Sequence, residues 1–238
     1  MAPAFDNHQI ISCHLHFSVH SFKLSIMKSV KINLGILLAL AFCAISGFAA
    51  DEWISLFNGK NLQGWKVTKE NPESISVQEG VIVIDGPRAH LYYTGDVKRH
   101  NFKDFEFRAK VKTMPHANSG IYFHTQYQEE GWPYHGYECQ VNNTHSDPSK
   151  TGGLWGVNAY YKQAVQDKEW FDYYVRVQGK KVTIKINGVV TIEFEEPDHP
   201  EHAKKLPGRL IRSGTFALQA HDPKSKILYK EIYVRPLD

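Results

Sequence analysis

The 238-residue sequence carries 28 Lys and Arg residues against 25 Asp and Glu residues, a formal net charge of +3 with histidine neutral. After residue 50 the counts are 25 and 24, so this part is almost neutral and has no basic stripe, which argues against a nucleic-acid partner. Of the three cysteines only Cys139 lies after residue 50. We therefore expect no disulfide, and a fold held by its hydrophobic core.

The first fifty residues are expected to lie outside the folded domain, as a start-site artefact followed by a signal peptide. Residues 27–50, "MKSVKINLGILLALAFCAISGFAA", place two lysines before an apolar run that ends in small residues. This order is typical of a secretory signal peptide and predicts a secreted or periplasmic protein. The apolar run is too short for a membrane span. We interpret Met27 as the true initiator, with 1–26 upstream of it. A lipid anchor at Cys43 is disfavoured because Phe42 is too large for its position.

Residues 51–238 have the length of a single domain, and strand patterns follow one another along this whole stretch. Strands are predicted in "ISVQEGVIVIDG", "DFEFRAKVKTM", "NSGIYFH", "YECQV", "DYYVRVQGKKVTIKINGVVTIEF", "GTFALQAHD" and "ILYKEIYVRPL". Turns are predicted at Glu79-Gly80 and at Asn187-Gly188, a favoured hairpin pair, with one short helical turn within 197–205. Many short strands predict an all-β, two-sheet antiparallel sandwich, of which we favour a jelly roll.

Three of these strands alternate apolar side chains with side chains that form hydrogen bonds. The polar sets are Tyr122 with His124, then Glu138 with Gln140 and Asn142, then Gln219 with His221. Because successive strand side chains point to opposite faces, the polar sets should share the outer, concave face of one sheet. Aromatic residues lie nearby in sequence: Trp132, Tyr134, Trp155 and Tyr160. Flat rings beside amides and a carboxylate suit a pyranose and predict a carbohydrate partner.

Simpler interpretations exist for several of these residues. Glu138 has a second interpretation as the ion-pair partner of a basic residue on a neighbouring strand. An amide ladder between strands would account for Gln140, Asn142 and Gln219. We interpret five other histidines as surface residues: His90, His100, His116, His199 and His202. Three tryptophans are predicted to lie in the core: Trp53, Trp65 and Trp170.

Several phrases together resemble the DUF1080 family of secreted bacterial domains, named after 3-keto-disaccharide hydrolase. They are "WISLFNGKNLQGWKV", "DFEFRAKVKT", "NSGIYFH", "GYECQVNN", "TGGLWGV", "EWFDYYVRVQGKKVTIKINGVVTIEF", "GTFALQAHD" and "ILYKEIYVRPL". They occur in family order across 53–237. The sequence departs from the family pattern at Phe171, usually Asn, and at His124, often Arg. The resemblance implies a concanavalin-A-like jelly roll that acts on 3-keto-glycosides, sugars whose C3 hydroxyl has been oxidised.

A ketone at C3 acidifies the hydrogen at C2, so the glycosidic bond can break by elimination, with water added afterwards. This chemistry needs a base for the C2 hydrogen, a group that stabilises the enolate oxygen and an acid for the leaving oxygen. It does not need the paired carboxylates of ordinary glycosidases. We assign Glu138 as the base, and His124 or His221 to the other two tasks. Tyr122, Gln140, Asn142, Gln219, Trp132, Trp155 and Tyr160 would bind the sugar.

The sequence alone leaves open whether the bond is cleaved by hydrolysis or by elimination followed by hydration, and it leaves two further points open. No cofactor is certain, although a divalent metal held by His124, Glu138 or His221 could stabilise the enolate. The second point is whether the domain is catalytic, since function depends on the site and not on the fold. A carbohydrate-binding module without catalysis, or a structural domain of a polysaccharide-using apparatus, would share the same strand pattern.

Overall fold

The computed structural model describes residues 52–237, and these form an all-β unit. The predicted signal peptide lies outside the described residues. The strands are β1 (Ile54–Ser55), β2 (Trp65–Val67), β3 (Ile75–Gln78), β4 (Val81–Asp85), β5 (Ala89–Tyr93), β6 (Phe105–Thr113), β7 (Ser119–Thr125), β8 (Tyr137–Val141), β9 (Phe171–Gln178), β10 (Lys181–Ile186), β11 (Val189–Glu195), β12 (Thr215–Ala220) and β13 (Lys226–Pro236).

The strands form two antiparallel sheets, so the predicted sandwich is confirmed. The larger sheet has the order β11-β10-β9-β6-β13-β4-β3, with β1 paired to β13. The smaller sheet has the order β2-β5-β12-β7-β8. Strand β12, from near the end of the chain, lies between β5 and β7, while β7 pairs with β8, the next strand in sequence. This order places the three polar strands β7, β8 and β12 side by side.

The core lies between the sheets and is built from the apolar half of each alternating strand. In β12, Phe216, Leu218 and Ala220 are buried in it. Cys139 on β8 is a free cysteine with no exposed surface, as its apolar neighbours in the alternation predict. Burial raises the pKa of its thiol. The core therefore needs no cross-link among these residues.

The two predicted turns and the predicted helical turn within 197–205 are present, together with two short helical segments that the sequence did not predict. The turns at Glu79-Gly80 and Asn187-Gly188 have positive φ at both residues, which suits a two-residue hairpin turn. The helical segments within the described range are 3₁₀ turns at Pro72–Ser74, Val97–His100 and Glu201–Lys204. None of the helices in this range has the length and apolar character to cross a membrane.

Of the three tryptophans predicted to lie in the core, only one does so. Trp65 is buried as expected, but Trp53 and Trp170 are only half-buried. The Arg108 guanidinium lies 4.4 Å from the Trp53 ring centre, and the Lys112 ammonium lies 4.8 Å from that of Trp170. Because long basic side chains can cover an aromatic ring with their charge still in water, these tryptophans need no place in the core.

Candidate active site

A cavity of about 490 Å³ opens on the outer face of the smaller sheet. The strand residues of its floor are Tyr122, Glu138, Gln140 and Gln219, with His221 just after β12. Connecting segments supply the rest of its lining: Asn118, Trp132, Pro133, Tyr134, Asp147, Trp155, Lys205, Leu206, Pro207, Gly208 and Arg209. Seven of the ten predicted site residues therefore line one cavity.

Glu138 lies on the floor of this cavity and is almost fully buried. Its Oε2 accepts hydrogen bonds from the Tyr122 hydroxyl at 2.6 Å and from the Arg209 guanidinium at 3.4 Å. Its Oε1 accepts only a long bond of 3.3 Å, from Nε2 of Gln219. Burial raises the pKa of the Glu138 carboxyl, and the positive charge of Arg209 offsets part of this rise. The result is a buried carboxyl group with a raised affinity for protons.

Gly120 makes room for this side chain. Tyr122 pairs with Glu138 across β7 and β8, and Gly120 pairs with Gln140. A Cβ atom at residue 120 would lie 2.6 Å from Oε1 of Glu138 and 2.7 Å from its Cγ. Since real contacts are not that short, the carboxylate can occupy the floor only because residue 120 has no side chain.

The amides of Gln140 and Gln219 frame the carboxylate from two strands. Nε2 of Gln140 donates to Oδ1 of Asn118 at 2.6 Å, and Nε2 of Gln219 donates to the Tyr122 hydroxyl at 2.8 Å. The carbonyl oxygen of each amide is buried and has no hydrogen-bond partner among the described residues. The two amides bond to these other groups instead of to each other, so they do not form the amide ladder considered above.

His221 lies at the rim and is held on two sides. Its Nδ1 lies 2.9 Å from Oδ2 of Asp222, and its ring is tilted 38° to the Trp132 ring at a centroid distance of 5.2 Å. Asp222 also accepts the backbone N–H of Lys224 at 2.9 Å, so it both orients the histidine and begins a turn. Burial acts to raise the pKa of Asp222, but hydrogen bonds from Ser225 and His221 hold it below its usual value. An ionised Asp222 takes the Nδ1–H, which leaves Nε2 as the nitrogen for proton exchange.

Arg209 is the site residue that sequence reasoning missed. It lies in the segment after the 3₁₀ turn Glu201–Lys204, is buried, and donates to the carbonyl of Gly136 at 3.2 Å. Its guanidinium lies 5.1 Å from the Tyr122 ring centre and 5.6 Å from that of Trp155. A lone arginine in a loop forms no sequence pattern. The sequence contains only an indirect indication of Arg209: if Glu138 is buried, a cation is expected close to it.

Asp147 was also missed, and it adds a second carboxylate to the cavity lining. Glu138 is the carboxylate that the strands contribute, whereas Asp147 comes from the loop after β8. Its Oδ1 accepts the backbone N–H of Ser149 at 2.8 Å. This bond gives Asp147 a local structural role in the loop.

His124 does not line the cavity, which corrects its assignment to the site. Between Tyr122 and Thr125 the pairing of β7 with β12 shifts register, and His124 has a φ of 56°. This bulge turns the ring away from the face of Tyr122. The ring Nε2 donates to the carbonyl of Lys103 at 2.8 Å, and Nδ1 accepts the N–H of Arg212 at 3.2 Å. Burial lowers the pKa of His124 to about 4, so the ring is a neutral structural group.

The proposed metal ligands are consequently not brought together. Glu138 and His221 line the cavity, whereas His124 faces the backbone beside Phe105. Within 52–237 no group of three or more His, Cys, Asp and Glu side chains is arranged to hold a metal ion.

Asn142 and Tyr160 also lie away from the cavity. Asn142 donates from Nδ2 to the carbonyls of Asp147 at 3.0 Å and Ser149 at 2.8 Å, so it fixes the loop after β8. Tyr160 packs against the hydrophobic core, and its backbone carbonyl accepts the N–H of Lys150 at 2.7 Å. Both residues shape the loop that carries Asp147.

The surface histidines were predicted correctly at three positions: His100, His116 and His199 are exposed. The prediction for His90 is wrong, because this residue is fully buried. Its ring centre lies 5.8 Å from the ring centres of both Tyr122 and Trp132. Neither ring nitrogen of His90 has a hydrogen-bond partner among the described residues, and burial lowers its pKa to about 3. His202 is half-buried and donates to the carbonyl of Arg209 at 2.8 Å, which helps to hold that segment.

Two wall segments of the cavity meet backbone against backbone. The N–H of Gly136 donates to the carbonyl of Gly208 at 3.0 Å. A Cβ atom on Gly208 would collide with the carbonyl of Tyr134, and one on Gly136 would collide with that of Phe123. Residue 208 must therefore be glycine for the walls that carry Trp132 and Arg209 to meet, whereas the glycine at 136 lets the Trp132 wall approach β7.

The fold is similar to solved structures of carbohydrate-related proteins. A protein of Parabacteroides distasonis ATCC 8503, provisionally named a glycosyl hydrolase, matches with a TM-score of 0.67 at 23% identity over 79% of this chain and 95% of that one. The carbohydrate-binding module CBM66 of Bacillus subtilis matches with a TM-score of 0.51 at 9% identity over 72% and 95%. At these identities the likeness concerns the fold alone, and it agrees with the predicted jelly roll.

Sequence relatives place the chain in one family. The 3-keto-disaccharide hydrolase of Bacteroides thetaiotaomicron is 30% identical over 83 residues, which are 32% of this chain and 29% of that protein. The matched region thus spans less than a third of that relative's length. Residues 52–235, nearly all of the described range, match the 3-keto-alpha-glucoside-1,2-lyase-like domain. The chain therefore belongs to the family of 3-keto-alpha-glucoside-1,2-lyase-like domains.

Proposed function

We propose that this protein is an enzyme that cleaves the glycosidic bond of 3-keto-glycosides by elimination across C1 and C2, followed by addition of water. The family description names this bond and substrate class, and the partial relative is named for 3-keto-disaccharides. The observation that supports the proposal best is the buried carboxyl of Glu138 on the cavity floor. Its raised pKa suits removal of a proton from carbon at neutral pH.

In the first step Oε1 of Glu138 takes the proton from C2. The C–H electron pair becomes the C2–C3 double bond of an enolate, with negative charge on the C3 oxygen. The Arg209 guanidinium lies beside Glu138 and has N–H groups beyond those that bond to Glu138 and Gly136, so we assign it to that oxygen. Fixed donors aimed at developing charge are an effective form of transition-state stabilisation.

In the second step the enolate electrons return, the C2–C1 double bond forms and the C1–oxygen bond breaks. The departing oxygen needs a proton, and protonated His221, oriented by Asp222, is placed at the rim to give it. His221, now neutral, can then take a proton from water as that water attacks C1. While the leaving group departs and water enters, the proton on Glu138 exchanges with solvent. Glu138 then gives a solvent-derived proton to C2, so both residues are restored at the end of the cycle.

Aromatic side chains of the walls complete the site. Trp132 is 44% exposed and lines the cavity together with Trp155. We assign these rings to stacking against the sugar, which leaves the floor residues to act on C1, C2 and C3. Gln140 and Gln219 would accept hydroxyl hydrogens through their unpaired carbonyl oxygens once a sugar opens access to them.

The decisive experiment compares 4-nitrophenyl 3-keto-α-glucoside with its unoxidised parent in D₂O. The proposal predicts release of nitrophenol from the oxidised compound alone, with deuterium from solvent at C2 of the product. Release from both compounds without deuterium would instead indicate ordinary hydrolysis, in which Asp147 joins Glu138 as the second carboxylate. Binding of the sugar without release would identify a carbohydrate-binding module.

A further inference from the structure

The loop of residues 126–136 carries Trp132 over the cavity. The carboxylate of Glu70 binds this loop to the segment between β2 and β3. Oε2 of Glu70 accepts the backbone N–H of Gly131 at 2.8 Å, immediately before Trp132. Oε1 of the same carboxylate accepts two hydrogen bonds from Arg88, at 2.9 Å from Nε and 2.7 Å from a terminal nitrogen. These bonds from Arg88 lower the pKa of Glu70, so the carboxylate is ionised at neutral pH.

Arg88 in turn contacts the tryptophan ring. Its guanidinium carbon lies 5.0 Å from the Trp132 ring centre, within the range of a cation–π interaction. The His90 ring meets Trp132 edge-on at 5.8 Å, and His221 lies against it at 5.2 Å. Three side chains and one backbone hydrogen bond therefore determine where a ring that is 44% exposed can lie.

We propose that Glu70 and Arg88 are positioning residues that hold Trp132 in place and thereby set the affinity of the cavity for its sugar. The proposal rests on the proposed function, in which Trp132 stacks on the substrate. Neither Glu70 nor Arg88 lines the cavity, so both act through the tryptophan. A ring fixed before binding loses less conformational freedom when the sugar arrives, and the saved entropy strengthens binding.

The same contacts contribute little to folding stability. The side chains of Arg88 and Glu70 are 37% and 21% exposed, and ion pairs near the surface are worth little to stability. This pair differs from an ordinary surface ion pair because Glu70 also accepts the backbone N–H of Gly131, the residue next to Trp132. We therefore expect substitution of either residue to change binding while the melting temperature stays within about 2 °C of the wild type.

The position of the ring is tested without any substrate. Protein labelled with 5-fluorotryptophan gives a fluorine signal for Trp132, identified by its loss in Trp132→Phe. Arg88→Ala and Glu70→Ala should each shift and broaden that signal. Arg88→Lys keeps the charge but not the planar fork, so it should restore the signal in part. Lys69→Ala is the control, because Lys69 pairs with Glu129 of the same loop at the exposed surface and should change nothing.

The effect on affinity is tested by kinetics on a 3-keto-α-glucoside and by binding of 1,5-anhydro-3-keto-glucitol, which has no leaving group at C1. Arg88→Ala should raise KM and the dissociation constant about 5- to 20-fold with kcat within about twofold. An unchanged fluorine signal, or a loss of kcat with KM unaltered, would overturn the inference, as would an equal effect of Lys69→Ala. If the wild type neither binds nor cleaves these sugars, the proposed function fails, while the fluorine spectrum still decides whether the pair holds Trp132.

Discussion

The hydroxyl of Tyr122 donates a 2.6 Å hydrogen bond to Oε2 of Glu138, directly across the pairing of β7 with β8. The bond fixes one carboxylate oxygen on a rigid sheet. It also distinguishes the two oxygens, because Oε1 keeps only the long contact with Gln219. A general base works best with one oxygen held and the other free to take the proton.

Glu138→Gln should lower turnover of a 3-keto-glycoside by about 10²- to 10⁴-fold, since the amide keeps the size of the side chain but cannot accept the C2 proton. Binding of 1,5-anhydro-3-keto-glucitol should persist. Steady-state kinetics and calorimetric titration give the two quantities. Tyr122→Phe is the matched variant, expected to cost less because it leaves the base in place. Near-normal turnover by Glu138→Gln would move the base role to His221.

Gly120→Ala should abolish most activity although it adds a single methyl group. The new Cβ would lie 2.6 Å from Oε1 of Glu138, so the carboxylate must leave its position. Gly179 in the exposed turn after β9 has a positive φ and open space around it, so Gly179→Asn is the control, expected to keep full activity. A crystal structure of active Gly120→Ala with Glu138 unmoved would contradict the packing argument.

Acid should destabilise the protein in part through His90. Burial lowers its folded-state pKa to about 3, while an unfolded histidine titrates near 6.5. Below that pH the unfolded chain gains a proton that folded His90 does not, so stability is complete above about pH 6.5 and falls towards pH 3. At pH 5 the loss should be about 2 kcal/mol.

Urea unfolding at pH 7.5 and pH 5 measures the loss of folding free energy that His90 causes in acid. His90→Phe should lose less stability between the two pH values than the wild type does, by about 2 kcal/mol. His199→Phe, at an exposed position, is the matched control substitution. His124, whose pKa burial lowers to about 4, should account for a second share of the acid sensitivity. An equal pH dependence in wild type and His90→Phe would show that His90 is protonated in the folded state.

Cys139 should be inert in the native protein. The thiol is completely buried and burial raises its pKa, so little reactive thiolate reaches solvent. A thiol reagent should label it only at the rate of unfolding. Cys139→Ser should lower the free energy of unfolding by about 1–3 kcal/mol, because a hydroxyl without a partner replaces a weakly polar group. Labelling within seconds under native conditions would contradict this prediction.

We further propose that the protein is exported and that its mature form begins at Ala50 or Asp51. The proposal follows from the charged, apolar and small-residue order of 27–50. Amino-terminal sequencing of material from the periplasm or medium checks it. A product that begins at Met1, or one carrying lipid at Cys43, would contradict the proposed processing.

The floor of the site could be predicted from sequence because strand alternation has a fixed period. Glu138, Gln140 and Gln219 lie on one face for that reason alone. The same rule failed at His124, where the register shift between β7 and β12 reverses the face of one residue. Nothing in "SGIYFHT" marks that shift, since it depends on pairing with a strand about ninety residues later.

The walls could not be predicted, because loops have no such period. Arg209 and Asp147 reach the cavity through chain paths set by backbone hydrogen bonds, such as that from Arg209 N–H to the Leu206 carbonyl at 2.9 Å. His90 was misjudged for a related reason. Its burial depends on the Trp132 loop folding over β5, which is a tertiary event that local sequence does not record.

The backbone contact between Gly136 and Gly208 has a consequence for how such proteins can diverge. Because a side chain at residue 208 would collide with the Tyr134 carbonyl of the other wall, we expect neither segment to shift along the other to absorb an inserted residue. A change in the length of one would push the other out of place and alter the mouth of the cavity. Homologues with a longer Trp132 loop should therefore carry a compensating change in the segment around Arg209. The two loops would therefore change together in evolution. An engineered change of sugar specificity that keeps the floor residues should exchange both loops at once.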